Sequence, residues 1–182
     1  MKFTLKSVWF KRVIQTCLTG LLLLVLFWFS VYLGLWGKLP SSDELKDIKH
    51  AEASLLLDAE NQLLGKYFIF DRQIVQYEDL PQHLVDALVA TEDSRFYEHN
   101  GVDYTSLIRV IFKSILMQDN SSGGGSTISQ QLVKNIYPRQ EYGWFSMPVN
   151  KVKEMILAQR FESIYSKQDI IVLYLNIVPF SE

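Results

Sequence analysis

A stretch of 25 residues without a charged side chain, from Val13 to Gly37, limits most strongly what this chain can fold into. It is rich in Leu, Val, Phe and Trp, and a helix of about 20 apolar residues is enough to cross the hydrocarbon core of a bilayer. A cleaved signal peptide is the alternative, but its apolar core is usually about 7 to 15 residues long and ends at a small-residue cleavage site. Residues 31–36 offer no such site. The stretch therefore predicts a transmembrane helix over residues 13–37.

The charges on either side of the stretch predict its orientation. The charged residues before the stretch are all basic: Lys2, Lys6, Lys11 and Arg12. Acidic residues follow soon after it: Asp43, Glu44 and Asp47. Because positive charge favours the cytoplasmic side, residues 1–12 are expected in the cytoplasm and everything after about Lys38 on the outer face. Trp28, Tyr32 and Trp36 lie towards the outer end, where amphipathic rings favour the headgroup region.

After a linker over residues 38–52, the remaining chain is long enough for one modest domain, residues 53–182. Residues 55–57, 58–61 and 63–70 read as a strand, a turn and a strand, which predicts a small hairpin. Helical spacing of apolar residues after capping residues predicts five helices, beginning near Asp79, Asp103, Ser126 or Thr127, Pro148 and Ser166. The first is expected to run through Glu92 to about Tyr97. The domain is thus predicted to be mainly helical.

The segment from Thr91 to Gly101 carries the first side chains suited to chemistry. If its helix persists, Glu92 and Phe96 share a face at i, i+4, and His99 falls near that face at i+7. A carboxylate beside an aromatic wall is partly desolvated, and this makes it a better general base. The alternative is a solvated acidic face with a histidine hydrogen-bonded near the helix end. The segment alone leaves both interpretations open.

Three glycines, Gly123 to Gly125, lead into a predicted helix whose first residues, Thr127 to Gln130, have the T-x-x-Q form of a capping box. Glycines let the backbone approach a ligand closely, and a helix N-terminus presents N–H groups to an anion. A phosphate or pyrophosphate suits this pattern, although the spacing is not that of a P-loop. An ordinary loop before a capped helix is the alternative. Two adjacent glutamines, with Lys134 and Asn135 at fixed offsets, favour a site.

Two later segments are less distinctive. Lys151 and Glu154 are neighbours at i, i+3, which indicates either an exposed ion pair or a second carboxylate with a cation near a charged leaving group. Residues 167–176 read as core packing, with only Lys167 and Asn176 open to another role. Residues 38–103 are strongly acidic and residues 104–182 are not, so an anion is expected to bind the second half. Ordinary variation in a solvated surface is the alternative.

Several classes of chemistry find no support in the sequence. The three histidines are scattered and the one cysteine, Cys17, lies in the predicted span, so no metal-ligand spacing and no internal disulfide are present. No serine lies in a nucleophile-elbow motif. No basic stripe interleaved with aromatic residues indicates nucleic-acid binding.

In this order, the four segments resemble the peptidoglycan glycosyltransferases, the polymerising domain of class A penicillin-binding proteins and of monofunctional transglycosylases. Glu92-Asp93-x-x-Phe96-x-x-His99-x-Gly101 is similar to the first motif, and residues 125–131 with Lys134-Asn135 are similar to the second. The third motif is Arg-Lys-x-x-Glu, in which Lys151 and Glu154 match and Asn150 replaces the arginine. Residues 167–176 resemble the fourth, K-x-x-I-L-E-x-Y-L-N, with Val172 in place of its glutamate.

This resemblance implies a lysozyme-like helical fold with a membrane-associated lobe, and it implies a reaction. The donor is a growing glycan on undecaprenyl pyrophosphate, and the acceptor is the 4-hydroxyl of lipid II. Glu92 takes the proton from that hydroxyl as it attacks the anomeric carbon, with inversion from α to β. Glu154, Lys151, Lys134 and Gln131 line the donor site, with Arg139 as a further candidate.

The resemblance assigns Glu92 and Glu154 to catalysis and a larger set to substrate binding: Asp93, Phe96, His99, Ser126, Thr127, Gln130, Gln131, Lys134, Asn135 and Lys151. It implies no required cofactor and leaves room for a divalent cation, Mg or Mn, at the pyrophosphate. The implied partners are lipid II, the growing glycan chain, membrane lipid and other cell wall synthesis proteins, without nucleic acid. The implied location is the bacterial cytoplasmic membrane.

The family continues past its Tyr-Leu-Asn motif with a glycine-rich segment and further helices, so the chain is expected to be a C-terminally truncated copy without a transpeptidase domain. Two alternatives stay open. A lytic transglycosylase or lysozyme-like hydrolase uses one essential glutamate on the same polymer but needs no cations for a pyrophosphate, so Lys134 and Lys151 favour the transferase. The other alternative is an inactive, membrane-anchored cell-wall scaffold.

Overall fold

The computed structural model describes residues 2–46, 54–58, 63–67, 74–117 and 125–179. Within these ranges the helices are α1 (Lys2–Tyr32), α2 (Ser42–Lys46), α3 (Gln82–Glu92), α4 (Tyr104–Met117), α5 (Ile128–Ile136), α6 (Ser146–Glu162) and α7 (Lys167–Ile177). The strands are β1 (Ser54–Leu57) and β2 (Leu63–Tyr67), and single 3₁₀ turns lie at Tyr77–Asp79, Phe96–Glu98 and Gly143–Phe145. The chain is therefore mainly helical, as predicted.

The residues form two compact units. The first comprises Met1–Leu39 and Tyr142–Lys153, and the second Pro40–Glu141 and Glu154–Glu182. Residues 146–153 of α6 belong to the first unit and residues 154–162 to the second.

Helix α1 dominates the first unit. Its segment Trp9–Tyr32 has 24 residues and a mean hydropathy of 2.0, so it is long and apolar enough to cross a membrane. The helix ends at Tyr32 and not at Gly37, where the predicted span ends. Gly34 and Gly37 have φ angles of 76° and 99°, a left-handed conformation that glycine adopts without steric cost and that turns the chain out of the helix.

The second unit begins with a helix where only a linker was expected. Ser41 and Glu44 form a capping box, because Ser41 N donates to Glu44 Oε2 at 2.7 Å and Glu44 N donates to Ser41 Oγ at 3.3 Å. Leu45 is fully buried. The Tyr165 hydroxyl donates to the Leu45 carbonyl at 3.0 Å. Helix α2 is therefore packed into the second unit.

Strands β1 and β2 pair antiparallel, with Ser54 opposite Tyr67 and Leu57 opposite Leu63. Most of the predicted turn and the end of the predicted second strand lie outside the described residues. The chain that follows is tied to α7, since Val75 N donates to Asn176 Oδ1 and Asn176 Nδ2 donates to the Val75 carbonyl, each at 3.0 Å. Asn176, whose role the sequence left open, thus holds this segment against the last turn of α7.

The core of the second unit lies among α5, the second half of α6, and α7. Helix α5 packs against α7. Ser166 and Asp169 form the capping box predicted at the start of α7. The large side chains that are fully buried here are Phe96, Ile128, Leu132, Phe161, Ile170 and Ile171. The prediction that residues 167–176 pack in the core is therefore confirmed for Ile170 and Ile171.

Gly101 lies in the loop after α3, against the backbone of α6. Its φ is +84°, and a Cβ atom placed on it lies 2.6 Å from the backbone carbon of Ala158. Real Cβ atoms do not approach backbone that closely, so only glycine fits without displacing the loop or the helix. The Gly101 carbonyl accepts hydrogen bonds from Thr127 Oγ1 at 2.7 Å and Gln130 Nε2 at 3.3 Å, which ties the loop to the start of α5.

Replacing Gly101 with alanine is expected to destabilise the fold by about 2 to 4 kcal/mol, because a strained backbone and a collision with α6 add together. Gly143→Ala is the matched control, since Gly143 also has a positive φ, +58°, but open space around it. That variant should lose only about 1 kcal/mol. Urea titrations followed by far-UV circular dichroism in detergent give both values, and equal losses would contradict the close-packing account.

Candidate active site

Helix α3 ends at Glu92, earlier than the predicted end near Tyr97. The residue that leaves the helix is Asp93, with φ −158° and ψ 77°. Its carboxylate accepts a hydrogen bond from Ile128 N at 3.1 Å and lies 3.0 Å from His99 Nε2. These two contacts require Asp93 to turn away from the helical path, and they explain why the continuous helix was a wrong prediction.

Asp93 and His99 form a buried pair at the N-terminus of α5. Both side chains are 6% exposed. A carboxylate at this end of a helix is stabilised by the free N–H groups and the positive end of the helix dipole. Asp93 therefore fixes where α5 begins relative to the end of α3.

That docking places Gln131 beside Glu92. Gln131 lies three residues after Ile128, and residues three apart lie on one face of a helix. Its Nε2 donates to Glu92 Oε2 at 2.8 Å, and its Oε1 accepts from the Tyr174 hydroxyl at 2.9 Å. The amide is held at both ends, so the donor must face Glu92. The half-buried Glu92 carboxylate is thereby oriented by α5 and α7 together.

Tyr174 was not identified from the sequence, where it read as core packing. Burial, together with the nearby negative charge of Glu92, raises the pKa of Tyr174 to about 12. The hydroxyl therefore remains protonated at neutral pH and acts as a hydrogen-bond donor to Gln131. Only the tyrosine of the fourth motif could have signalled this role, and periodicity alone gives no reason to choose it.

Several residues predicted to bind substrate are buried and use their polar atoms inside the protein. Thr127 caps α5 by accepting from Gln130 N at 3.2 Å, and Gln130 Nε2 donates to the Gly101 carbonyl at 3.3 Å. Phe96 is fully buried, and because α3 ends at Glu92 the helical spacing that placed its ring beside Glu92 no longer applies, so a contact between the two stays a prediction. Their burial favours a role of these residues in supporting the structure of the site. Direct contact between them and substrate stays a prediction.

Lys167 belongs to the same internal scaffold. Its Nζ donates to the His99 carbonyl at 2.7 Å and to Glu162 Oε2 at 2.6 Å, and lies 4.2 Å from the centre of the Phe96 ring. Ser129 Oγ donates to the other oxygen of Glu162 at 2.5 Å. The first, second and fourth motifs are therefore joined by buried ion pairs and hydrogen bonds.

A polar cavity of about 340 Å³ opens beside Glu92 within the second unit. Its walls come from the end of α3, one face of α4 and the residues just before α5. The polar side chains that line it are Thr91, Glu92, Asp93, Ser94, Asp103, Ser106, Arg109, Lys113, Ser126 and Thr127. Residues 118–124, which include Gly123 and Gly124 of the glycine run before α5, lie outside the described residues.

Arg109 and Lys113 give this cavity positive charge, and neither was identified from the sequence. Both are exposed, and they lie four residues apart on α4, hence on one face. Arg109 Nη2 donates to Ser106 Oγ at 2.6 Å, and Ser106 Oγ donates to Asp103 at 2.5 Å. Their i, i+4 spacing on a predicted helix was the signal that could have revealed them.

Asp103 anchors the start of α4. Burial acts to raise its pKa, but hydrogen bonds from the Ser106 side chain and backbone, the charge of Arg95 and the Thr105 N–H outweigh that effect and lower the pKa below its usual value. The carboxylate is therefore charged at neutral pH and accepts from the first turn of α4 as a cap.

The remaining predicted residues lie further along the chain. Glu154 is 5% exposed and accepts from Arg139 Nε at 2.7 Å, so the reading of Glu154 as part of a solvent-exposed pair was wrong. Lys134 is exposed one turn after Gln131, and Asn135 Nδ2 donates to the Gln131 carbonyl at 2.8 Å. Lys151 is half-buried in the first unit. The predicted functions of Lys134, Asn135, Lys151 and Glu154 stay predictions.

Comparison with known proteins defines the class. The chain matches the family model described as Transglycosylase over residues 60–182, and it belongs to this family. It is 33% identical to Penicillin-binding protein 1A of Vibrio cholerae over 91% of this chain and 20% of that protein. It is 35% identical to Penicillin-binding protein 1A of Escherichia coli over 81% of this chain and 17% of that protein. It is 34% identical to Penicillin-binding protein 1F of Bacillus subtilis over 94% of this chain and 22% of that protein. The chain thus spans about a fifth of the length of these relatives.

The raised pKa of Tyr174 predicts how stability changes at alkaline pH. A tyrosine whose folded pKa exceeds the unfolded value, 10.0, stabilises the fold below pH 10, and that stabilisation is lost as the pH rises towards about 12. Tyr174→Phe should therefore lose less free energy of unfolding between pH 10 and 12 than the parent. At pH 8 it should be less stable by about 1 kcal/mol, the net value of a lost hydrogen bond.

The measurement is a series of urea titrations from pH 8 to 12. Tyr104→Phe, at an exposed tyrosine, controls for removal of a hydroxyl elsewhere. Identical alkaline profiles for the parent and Tyr174→Phe would show that Tyr174 is not the buried tyrosine that the geometry describes.

Proposed function

We propose that this chain is a peptidoglycan glycosyltransferase with a lysozyme-like helical domain, which polymerises lipid II and releases undecaprenyl pyrophosphate. Membership of the transglycosylase family supports the class of reaction. From that membership we also propose, for this chain, the lipid-linked substrates, the inversion at the anomeric carbon and the residue roles given below.

One observation carries the proposal. The Glu92 carboxylate is held by Gln131 at 2.8 Å and lines a polar cavity that also contains Arg109 and Lys113. A fixed carboxylate can accept a proton from a sugar hydroxyl, and cations nearby can bind the phosphate groups that lipid-linked sugars carry. A site with both features suits transfer between two anionic glycolipids.

In the proposed reaction, Glu92 accepts the proton of the acceptor 4-hydroxyl as that oxygen forms a bond to C1 of the donor sugar. The bond between C1 and the pyrophosphate oxygen breaks, and its electron pair leaves with the pyrophosphate. Attack from the side opposite the leaving group converts an α linkage into a β linkage. Gln131 and Tyr174 position Glu92 and do not exchange protons with substrate.

The departing pyrophosphate needs positive charge on the donor side. We assign this role to Lys134 and Arg139, with Glu154 holding Arg139 in place through their 2.7 Å ion pair. The hydrogen bond with Glu154, against the effect of burial, raises the pKa of Arg139 above its already high value, so this cation stays charged throughout. Lys151 and Asn135 are proposed as additional contacts to the donor.

The proposed reaction needs no resident divalent cation, and a Mg or Mn ion that arrives with the pyrophosphate stays a prediction. Among the side chains that the structure describes, no three His, Cys, Asp or Glu residues are grouped to hold a metal. Asp93 and Asp103, the aspartates of the cavity, already accept backbone N–H groups at helix starts. No step of the proposed reaction is therefore routed through a metal.

Cationic residues distinguish this proposal from a hydrolase, because a lytic transglycosylase or lysozyme-like enzyme expels a neutral sugar. The proposed location is the bacterial cytoplasmic membrane, with α1 crossing it once, the N-terminus in the cytoplasm and the second unit on the outer side. Basic residues before α1 and acidic residues after it support this orientation. Other cell wall synthesis proteins are proposed partners.

Replacing Glu92 with glutamine should abolish polymerisation and leave lipid II binding nearly unchanged. The amide keeps the shape of the side chain but is no base, so a loss of at least about 100-fold in rate is expected, within the range for a positioned general base. Detergent-solubilised protein with fluorescent lipid II gives both readouts, polymer on a gel and binding by anisotropy. Polymer formation by Glu92→Gln at the parent rate would contradict the assignment of Glu92 as the base. If the parent binds lipid II but neither protein forms polymer, the result would favour the inactive, membrane-anchored scaffold.

Neutralising the α4 cations should weaken substrate binding more than it slows chemistry. Arg109→Gln combined with Lys113→Gln is expected to raise the KM for lipid II about tenfold or more, since hydrogen bonds to charged groups contribute about 1.5 to 3 kcal/mol each. Its KM should also depend less on salt. Lys46→Glu, at an exposed ion pair with Asp43, is the matched control. An unchanged KM in the double variant would remove α4 from the substrate site.

A further inference from the structure

Helix α4 carries a row of exposed apolar side chains. Tyr104, Ile108 and Phe112 are spaced four residues apart, and they are 52%, 65% and 65% exposed. Residues four apart lie above one another on a helix surface, so the row runs about 12 Å along the axis at 1.5 Å per residue. Single exposed apolar side chains are common on protein surfaces, but a contiguous row of large ones indicates a binding surface. Together the three residues form an apolar ridge, the α4 ridge.

The ridge lies on a helix whose position in the second unit is fixed. Ser106, on the other side of α4, is 8% exposed, and its hydroxyl donates to the buried Asp103. Leu107 is half-buried. The Tyr104 hydroxyl accepts from Gln159 Nε2 at 3.0 Å, which holds the first ridge residue to the second half of α6. The ridge is therefore a defined surface of a packed helix.

A row of cations runs beside the ridge. Arg109 and Lys113 each follow a ridge residue by one position, and both are exposed. Phe112 is three residues after Arg109, so the two side chains are neighbours on the helix surface. Arg109 Nη2 donates to Ser106 Oγ at 2.6 Å, which directs the guanidinium towards the cavity. One side of α4 thus presents positive charge to the cavity, and the adjacent side presents apolar surface.

This arrangement matches the two chemical parts of a polyprenyl-linked sugar. Its phosphate groups bind cations, and its hydrocarbon chain gains free energy when apolar surface covers it from water. A protein partner or the bilayer could also cover an apolar ridge. Neither of these requires that the adjacent cations face a cavity beside Glu92. The adjacency of charge and ridge therefore favours a ligand that carries both parts in one molecule.

We propose that the α4 ridge binds the polyprenyl chain of the acceptor lipid, whose phosphates lie at Arg109 and Lys113. The proposal rests on the proposed function, in which Lys134 and Arg139 bind the donor pyrophosphate and leave the α4 cations to the acceptor. The ridge removes apolar surface of the chain from water and sets the direction in which the chain leaves the cavity. The acceptor sugar is then oriented towards the base from its lipid end.

Two lipid II analogues that differ only in the prenyl chain test the proposal. Fluorescent analogues with a short geranyl or a long heptaprenyl chain are titrated into the detergent-solubilised full chain, and anisotropy gives each Kd. All proteins carry Lys134→Gln, which weakens the proposed donor site so that binding reports the acceptor site. The quantity compared between proteins is the ratio of the two Kd values.

Three double variants are compared with this reference protein after circular dichroism has confirmed that each is folded. Ile108→Ser with Phe112→Ser removes the apolar surface of the ridge. Ile108→Leu with Phe112→Leu keeps that surface and should preserve binding. Ile74→Ser with Leu84→Ser is the matched control, because these side chains are 39% and 40% exposed elsewhere in the second unit.

The reference protein should bind the heptaprenyl analogue at least about tenfold more tightly than the geranyl analogue, since the longer chain removes more apolar surface from water. The serine variant of the ridge should lower this ratio at least about threefold. The leucine variant and the control variant should keep the reference ratio.

Two outcomes would overturn the proposal and leave the proposed function intact. One is equal affinity of the reference protein for both analogues, and the other is an unchanged ratio in the serine variant of the ridge. A ridge covered by the bilayer or by a protein partner would give the second result. If no protein binds either analogue, including the parent with Lys134 restored, the proposed function fails together with the ridge.

Discussion

The buried carboxylate of Asp93 determines the geometry of the site. It accepts from Ile128 N at the first residue of α5 and meets His99 on its other side, so it both ends α3 at Glu92 and sets where α5 starts. Because α5 is rigid, its next face-sharing residue, Gln131, then points at Glu92. A buried carboxylate is costly unless it is hydrogen-bonded or paired, and here the helix N-terminus and the histidine meet that requirement.

The motif residues divide into two physical groups. Asp93, His99, Thr127, Gln130 and Lys167 are largely buried and bond to one another or to the backbone of the loop that ends at Gly101. Glu92, Ser126, Gln131 and Lys134 keep solvent-accessible surface. The first group fixes the loop, α5 and α7 as one scaffold, and the second is the group that we propose contacts substrate. Under the proposed function, a substitution in either group should lower activity, but only a substitution in the first group should also lower stability strongly.

Local sequence signals predicted much of this fold because they depend on near neighbours. The cap of α4 at Asp103 and the capping box of α7 at Ser166 and Asp169 lie where the pattern indicated, and the apolar stretch forms α1 although that helix ends at Tyr32 and not at Gly37. The failures involve contacts distant in sequence. Periodicity could not show that Asp93 leaves its helix for an amide 35 residues away, or that the Tyr174 hydroxyl supports Gln131. Arg109 and Lys113 were missed because their i, i+4 spacing shows only that they share a face of α4, and an exposed pair of cations on a helix is usually a solvated face.

We expect Asp93 to act on the proposed reaction through Gln131 and Glu92. A double-mutant cycle on the initial rate of lipid II polymerisation tests it most directly, with Asp93→Asn, Gln131→Met and their combination in proteins checked for folding by circular dichroism. Residues that act through one another give non-additive effects. Asp93→Asn should lower the rate severalfold in the parent and much less when Gln131 is already replaced. Rate losses that simply multiply in the double variant would contradict it.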